Sequence, residues 1–183
     1  DSTDNNDYTD SMATSIAHHA YSCACVEGFT NGVCAYGFIP EYTTECSVAT
    51  GGNCDVDVDE CASSPCTNGA ACSDSTVDAD VSIHTYRCTC VEGFANGFCG
   101  YTPITAYADE CGILTNGICD MDVDECVSLP CQNGATCTDS MDGNPGSIQP
   151  DQYNCTCALG FEGNICQVDV DECESSPCEN GGV

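Results

Sequence analysis

Twenty-one of 183 residues are cysteine, and their recurring order constrains the fold more than any other feature. Each copy of the string DVDEC, at residues 57–61, 122–126 and 169–173, opens a cysteine series. One series runs Cys61, Cys66, Cys72, Cys88, Cys90, Cys99. The next runs Cys126, Cys131, Cys137, Cys155, Cys157, Cys166. The last copy supplies Cys173 and Cys178, and the first segment supplies only a back half, Cys23, Cys25 and Cys34. Cysteine at this density marks a disulfide scaffold. It belongs to oxidising places such as the cell exterior or a secretory lumen. Thiolate metal sites are disfavoured: CxxC is absent, and His18, His19 and His84 are too few and too scattered to complete ligand sets.

Local signals agree with a strand-and-turn repeat. Asn68–Gly69 and Asn133–Gly134 predict type I′ turns between the second and third cysteines of their series. Residues 86–90, YRCTC, alternate like a short strand. No stretch keeps a helical period over ten residues. Each unit has too little apolar area for a core of its own, so disulfides must take its place.

The charge excludes some partners. Arg87 is the one basic side chain, against thirty acids, for a formal charge of −29. Nucleic acid and anionic membrane surfaces are repelled, and cations are the natural partners. The acids are phased to the cysteines, where acids kept for solubility alone would be scattered. No run reaches transmembrane length, and no signal peptide is visible.

The strings CASSPCTNGAAC…YRCTCVEGFANGFC and CQNGATC…YNCTCALGFEGNIC resemble EGF-like modules, the second closely those of the Notch and fibrillin type. The resemblance implies a small, disulfide-rich, all-β fold: tandem EGF-like repeats in an elongated rod. It divides the chain into a partial module at 1–54, full modules at 55–119 and 120–166, and the start of another at 167–183. It implies pairing first to third, second to fourth, fifth to sixth: 61–72, 66–88 and 90–99, then 126–137, 131–155 and 157–166, with 25–34 in the first segment. Two features depart from the pattern. The loop between third and fourth cysteines holds 15 residues after Cys72 and 17 after Cys137, about twice the family's usual length; residues 1–22 parallel the same loop. Extra pairs also follow the sixth position: Cys46 with Cys54, and Cys111 with Cys119, each spaced Cx7C. A local disulfide hairpin is the simplest reading of them, resembling the fourth pair of laminin-type modules.

DVDEC matches the lead-in of calcium-binding EGF-like modules, which also carry an acid two residues after the third cysteine. By that resemblance the calcium ligands are Asp57, the Val58 carbonyl, Glu60 and Asp74 in one module, and Asp122, the Val123 carbonyl, Glu125 and Asp139 in the next. Asp169, the Val170 carbonyl and Glu172 begin a third set, and Asp1 holds the loop position of a further one. Calcium takes six to eight oxygens, and two carboxylates around one carbonyl supply three from a short turn. Only six residues separate Cys119 from Cys126 and Cys166 from Cys173, so an ion there would stiffen the joint; Phe161 is placed to pack onto the following module. The C-x-S-x-P-C pattern of O-glucose points to Ser63, Ser128 and Ser175, and the O-fucose pattern to Thr136. Thr30 lies near the O-GlcNAc pattern, and Asn154 opens an N-glycan sequon.

No nucleophile, base or carboxylate pair can be assembled into a catalytic set, so an enzyme is not expected. The expected function is an extracellular, secreted or cell-surface structural protein: a calcium-stiffened array forming or coating a fibre or filament. The alternative is a receptor or ligand ectodomain of Notch type. Absence of Trp and the single Arg argue against a recognition surface. Tyr36, Tyr42, Tyr101 and Tyr107 are candidates for contact between chains. Cys23, Cys173 and Cys178 remain unpaired by this arithmetic. They match the fourth, first and second positions of one module, so the chain is expected to be one period of a polymer, or a cut from a longer array, bonded to further copies or to its own continuation.

Overall fold

The computed structural model describes residues 20–142, 148–175, 177–180 and 182. Among them there is no α-helix, only two- to five-residue strands and single 3-10 turns. This is the small, disulfide-rich, all-β architecture the sequence implies.

The centre of each full unit is an antiparallel pair. Ala71–Asp74 pairs with Tyr86–Cys90, and Thr136–Asp139 pairs with Tyr153–Thr156. Cys72 sits opposite Cys88, and Cys137 opposite Cys155. The two Asn-Gly turns have the positive φ at both residues that type I′ requires: 51° and 75° at Asn68–Gly69, 52° and 71° at Asn133–Gly134. Their asparagine side chains do a second job. Asn68 Nδ2 donates to the Cys119 carbonyl and Asn133 Nδ2 to the Cys166 carbonyl, each at 2.9 Å. Little apolar surface is sealed in the middle unit, where the buried cluster is Cys88, Cys90, Ala95, Cys99, Cys111, Cys119 and Val123.

Nine disulfides join 18 cysteines, and five are paired as expected: 61–72, 66–88, 126–137, 131–155 and 157–166. The expected bonds 25–34, 46–54, 90–99 and 111–119 are overturned. The bonds are nested instead: Cys25–Cys54 around Cys34–Cys46, and Cys90–Cys119 around Cys99–Cys111. The insert does not form a hairpin of its own. It folds back along the strand that precedes it, through bridges Val33–Ser47 and Phe98–Gly112, and this carries Cys46 to Cys34 and Cys111 to Cys99. The chain then returns to the base of the unit. Gly32 and Gly97 make room there, since a Cβ on Gly97 would lie 2.6 Å from the sulfurs of both Cys90 and Cys119. Cys54, Cys119 and Cys166 share one left-handed backbone conformation, φ 55°, 57° and 59°. They are therefore equivalent sixth cysteines, and the insert lies within the last loop of its unit rather than after it. Cys23, Cys173 and Cys178 are unpaired.

Candidate cation site at the unit joints

Each joint is built from the sequence G-F of one unit and D-V of the next. Phe29–Thr30 pairs with Val56–Asp57, Phe94–Ala95 with Met121–Asp122, and Phe161–Glu162 with Val168–Asp169. In register, Phe29 faces Asp57, Phe94 faces Asp122 and Phe161 faces Asp169. The next amide closes the joint: Val58, Val123 and Val170 donate to the carbonyls of Gly28, Gly93 and Gly160 at 2.8–2.9 Å. Val58 and Val123 are buried. Their N–H groups are thus engaged backward, across the joint.

Beyond this strand the chain turns through a 3-10 segment, Glu60–Ser63 or Glu125–Ser128. Asp59 and Asp124 cap these turns, accepting at 3.0 Å from the amides of Ala62 and Val127. So the second aspartate of DVDEC has a structural task of its own. It also meets the loop acid: Asp59, Asp74 and the Cys61 sulfur group together, as do Asp124, Asp139 and the Cys126 sulfur. Both sulfurs are tied in disulfides, which leaves paired carboxylates as the useful groups. Asp74 and Asp139 are buried, and their Oδ2 atoms accept from the amides of Cys61 and Cys126 at 3.2 and 3.5 Å.

The electrostatics leave negative charge short of partners. Asp57 and Asp122 each receive one hydroxyl, from Ser75 at 2.8 Å and Ser140 at 2.9 Å. Their Oδ1 atoms are buried with no hydrogen bond, as are Glu60 Oε2 and Glu125 Oε2. Burial pushes the carboxyls of Glu60 and Glu125 up to about 7, helped at Glu60 by Asp74, Asp57 and Asp59, and at Glu125 by Asp139 and Asp122. Asp59 is raised by its hydrogen bond with Asp74 and by burial; Asp124 is raised by burial and by Asp139. Burial opposes ionisation of Asp74, but hydrogen bonds from Thr76, Asp59 and the Cys61 amide outweigh it and hold Asp74 low. A buried carboxylate oxygen without a donor costs free energy until something positive reaches it. Asp57 and Glu60, and again Asp122 and Glu125, present such oxygens at matching positions, and the hard donor set fits an oxygen-seeking divalent ion.

Of the predicted ligands, Asp74 and Asp139 stand in the close groups, with Asp59 and Asp124, which were not predicted. Asp57, Glu60, Asp122 and Glu125 lie near enough to feel one another's charge but outside those groups. At the third joint, Asp169 and Glu172 are exposed and Val170 is half-buried. Asp1 lies outside the described residues. Sequence reading missed the inserts' part. Tyr42 Oη accepts from the Asp59 amide at 2.9 Å and Tyr107 Oη from the Asp124 amide at 3.0 Å, which pins the lead-in from outside. Tyr36 and Tyr101 donate to the carbonyls of Phe29 and Phe94 at 2.7 Å. These four phenols, expected to reach other chains, are used within this one. The available signal was their equal spacing before the two lead-ins.

Of the sugar positions, Ser63, Ser128, Ser175, Thr136 and Asn154 are exposed. Ser63, Ser128 and Ser175 rest their hydroxyls on the carbonyls of Glu60, Glu125 and Glu172 at 2.8–3.1 Å. Thr30 is a correction: it is fully buried and donates to the Val56 carbonyl across the joint, so no transferase can reach it.

The EGF-like domain family model matches residues 61–100 and 126–164. The mouse EGF-like repeat and discoidin I-like domain-containing protein 3 is 34% identical over 155 residues, covering 81% of this chain and 26% of that protein. The human Delta and Notch-like epidermal growth factor-related receptor is 28% identical over 130 residues, covering 71% of this chain and 12% of that protein. The chain thus spans about a quarter of the first relative's length and less of the second. No helix among the described residues is long and apolar enough to cross a membrane. The chain carries two EGF-like domains in tandem.

Proposed function

We propose that this is an extracellular structural protein, a tandem EGF-like array whose joints are stiffened by calcium and which forms or coats a fibre or cell-surface filament. The observation that carries the reading is the pair of unpartnered buried carboxylate oxygens at each described full joint, on Asp57 with Glu60 and on Asp122 with Glu125. Asp74 and Asp139, with the Val58 and Val123 carbonyls, would complete the oxygen set. Calcium would there hold a joint that strand pairing and a tyrosine brace already align.

Nine disulfides support an oxidising, extracellular setting. A charge of −29 supports cations, not nucleic acid or anionic membrane, as partners. Free Cys23, Cys173 and Cys178 support bonding to further copies or to a continuation of the same chain, and the exposed Ser63, Ser128, Ser175, Thr136 and Asn154 support a glycan coat. A second reading, an ectodomain that recognises a protein partner, is favoured by the likeness to a protein named as a receptor. Electron microscopy of native material separates the two. Fibres or coated filaments support the structural role; monodisperse particles that bind a receptor overturn it.

A further inference from the structure

The long loops after Cys72 and Cys137 have a place in the joints. Gly28 and Gly93 both sit at positive φ, 89° and 86°, and neither has room for a side chain. A Cβ on Gly28 would collide with Ile83 Cγ2 and lie 3.0 Å from the His84 amide nitrogen. A Cβ on Gly93 would collide with the Asp151 amide nitrogen and lie 2.6 Å from the Pro150 carbonyl carbon. The loop of each following unit therefore seats on the glycine of the unit before it. The seated residue is the same one in both loops: His84 stands four places before Cys88, and Asp151 four places before Cys155. Both adopt the left-handed conformation, φ 62° and 81°, which non-glycine residues other than Asn, Asp and His rarely do.

The seated residue lines a small open cleft beside the lead-in glutamate. At one joint a cavity of about 230 Å³ is lined by Glu27, Tyr36, Val58, Glu60 and His84. At the other a cavity of about 170 Å³ is lined by Glu92, Tyr101, Val123, Glu125 and Asp151. Glu125 is 8% exposed with Oε2 unpartnered, and Glu60 Oε2 is likewise buried and unpartnered. The two cavities match in their glutamates, tyrosine, valine and isoleucine; they differ in the seated residue and in Gly37 and Phe38 at one against Thr102 at the other, and only the seated residue changes the charge. One has an imidazole and the other a third carboxylate.

We infer that the residue seated on the joint glycine sets the strength of each cation site, and that the Asp151 joint holds calcium more tightly than the His84 joint. The inference rests on calcium binding at the lead-ins as proposed above. Calcium affinity follows the number and charge of nearby carboxylates. Asp151 adds one where His84 can add none, and the seat keeps each residue at the mouth of its site by backbone packing alone.

Calcium titration calorimetry on the full chain tests this. Two affinities separated by roughly tenfold are expected from one added carboxylate. Glu125→Gln should remove the tighter site and Glu60→Gln the weaker. Asp151→Asn should weaken the tighter site by about tenfold, and His84→Asp should tighten the weaker one by a similar factor. His84→Asn, which keeps the backbone preference and adds no carboxylate, should move the weaker site far less than His84→Asp does. Calcium uptake at both sites with neither exchange moving an affinity beyond twofold would overturn the inference and leave the proposed function standing. No uptake by the unaltered chain would overturn both.

Discussion

Glu60 and Glu125 carry the clearest residue-level consequence. Their carboxyls rise from 4.5 to about 7, first through burial and then through the neighbouring aspartates. With calcium chelated, the folded chain between those pH values keeps protons that the unfolded chain has released. Unfolding free energy must then fall as pH rises from 4.5 towards 7, and level off above it. Saturating calcium should flatten or reverse that slope, because the ion replaces the protons. Denaturant melts at pH 5 and pH 7.5, with calcium and with chelator, read both signs; a chelated chain more stable at pH 7.5 would contradict the account. Arg87 is a second case. Its Nε donates to the Leu114 carbonyl at 3.1 Å, its Nη1 to Asp78 at 3.3 Å, and its guanidinium lies over Phe98. The single basic side chain thus ties the long loop to the insert, and Arg87→Ala should cost the middle unit about 1–2 kcal/mol in a chemical melt. The acids of the site were legible because DVDEC repeats in phase with cysteine. The burial of Thr30 was not, since it depends on strands from two units meeting, and the capping role of Asp59, a local contact with the Ala62 amide, was hidden behind the ligand-like string.

The element that sequence reading misplaced is the insert. Seven residues separate its two cysteines, which favours a local bond when chain distance alone is weighed. The folded strands decide otherwise, because the insert lies back against residues 33 and 98. A legible clue was present: six residues separate Cys54, Cys119 and Cys166 alike from the first cysteine of the next unit. Position relative to the lead-in, not order after Cys90, identifies the sixth cysteine. Replacing Cys99 and Cys111 by alanine should therefore leave Cys90–Cys119 formed and the joint paired, while removing a staple worth about 2–3 kcal/mol. Peptide mapping of that variant should recover Cys90 linked to Cys119; recovery of Cys119 as a free thiol would count against nesting. Tyr107→Phe makes a finer cut. It removes the acceptor for the Asp124 amide and should cost about 1 kcal/mol, with faster amide exchange at Asp124.

On the scale of the whole molecule, the repeat, the all-β class and the tandem units were legible, because cysteine phase and turn residues are written along the chain. The joints were only half legible. Their acids could be read, but the seats at Gly28 and Gly93 and the tyrosine braces arise where one unit touches the next. Those contacts give each full joint three supports apart from the proposed ion: a strand pair, a phenol and a seated loop. The proposed ion would add a fourth, electrostatic support, because a chain of charge −29 concentrates carboxylates at its joints and repels itself there when they are bare. Small-angle scattering of the full chain in calcium and in chelator reads directly whether an ion stiffens the joints. The account predicts a larger maximum dimension in calcium and a shorter, more flexible particle after chelation, with Glu60→Gln and Glu125→Gln together giving the chelated profile even when calcium is present. Identical profiles in calcium and chelator would contradict it.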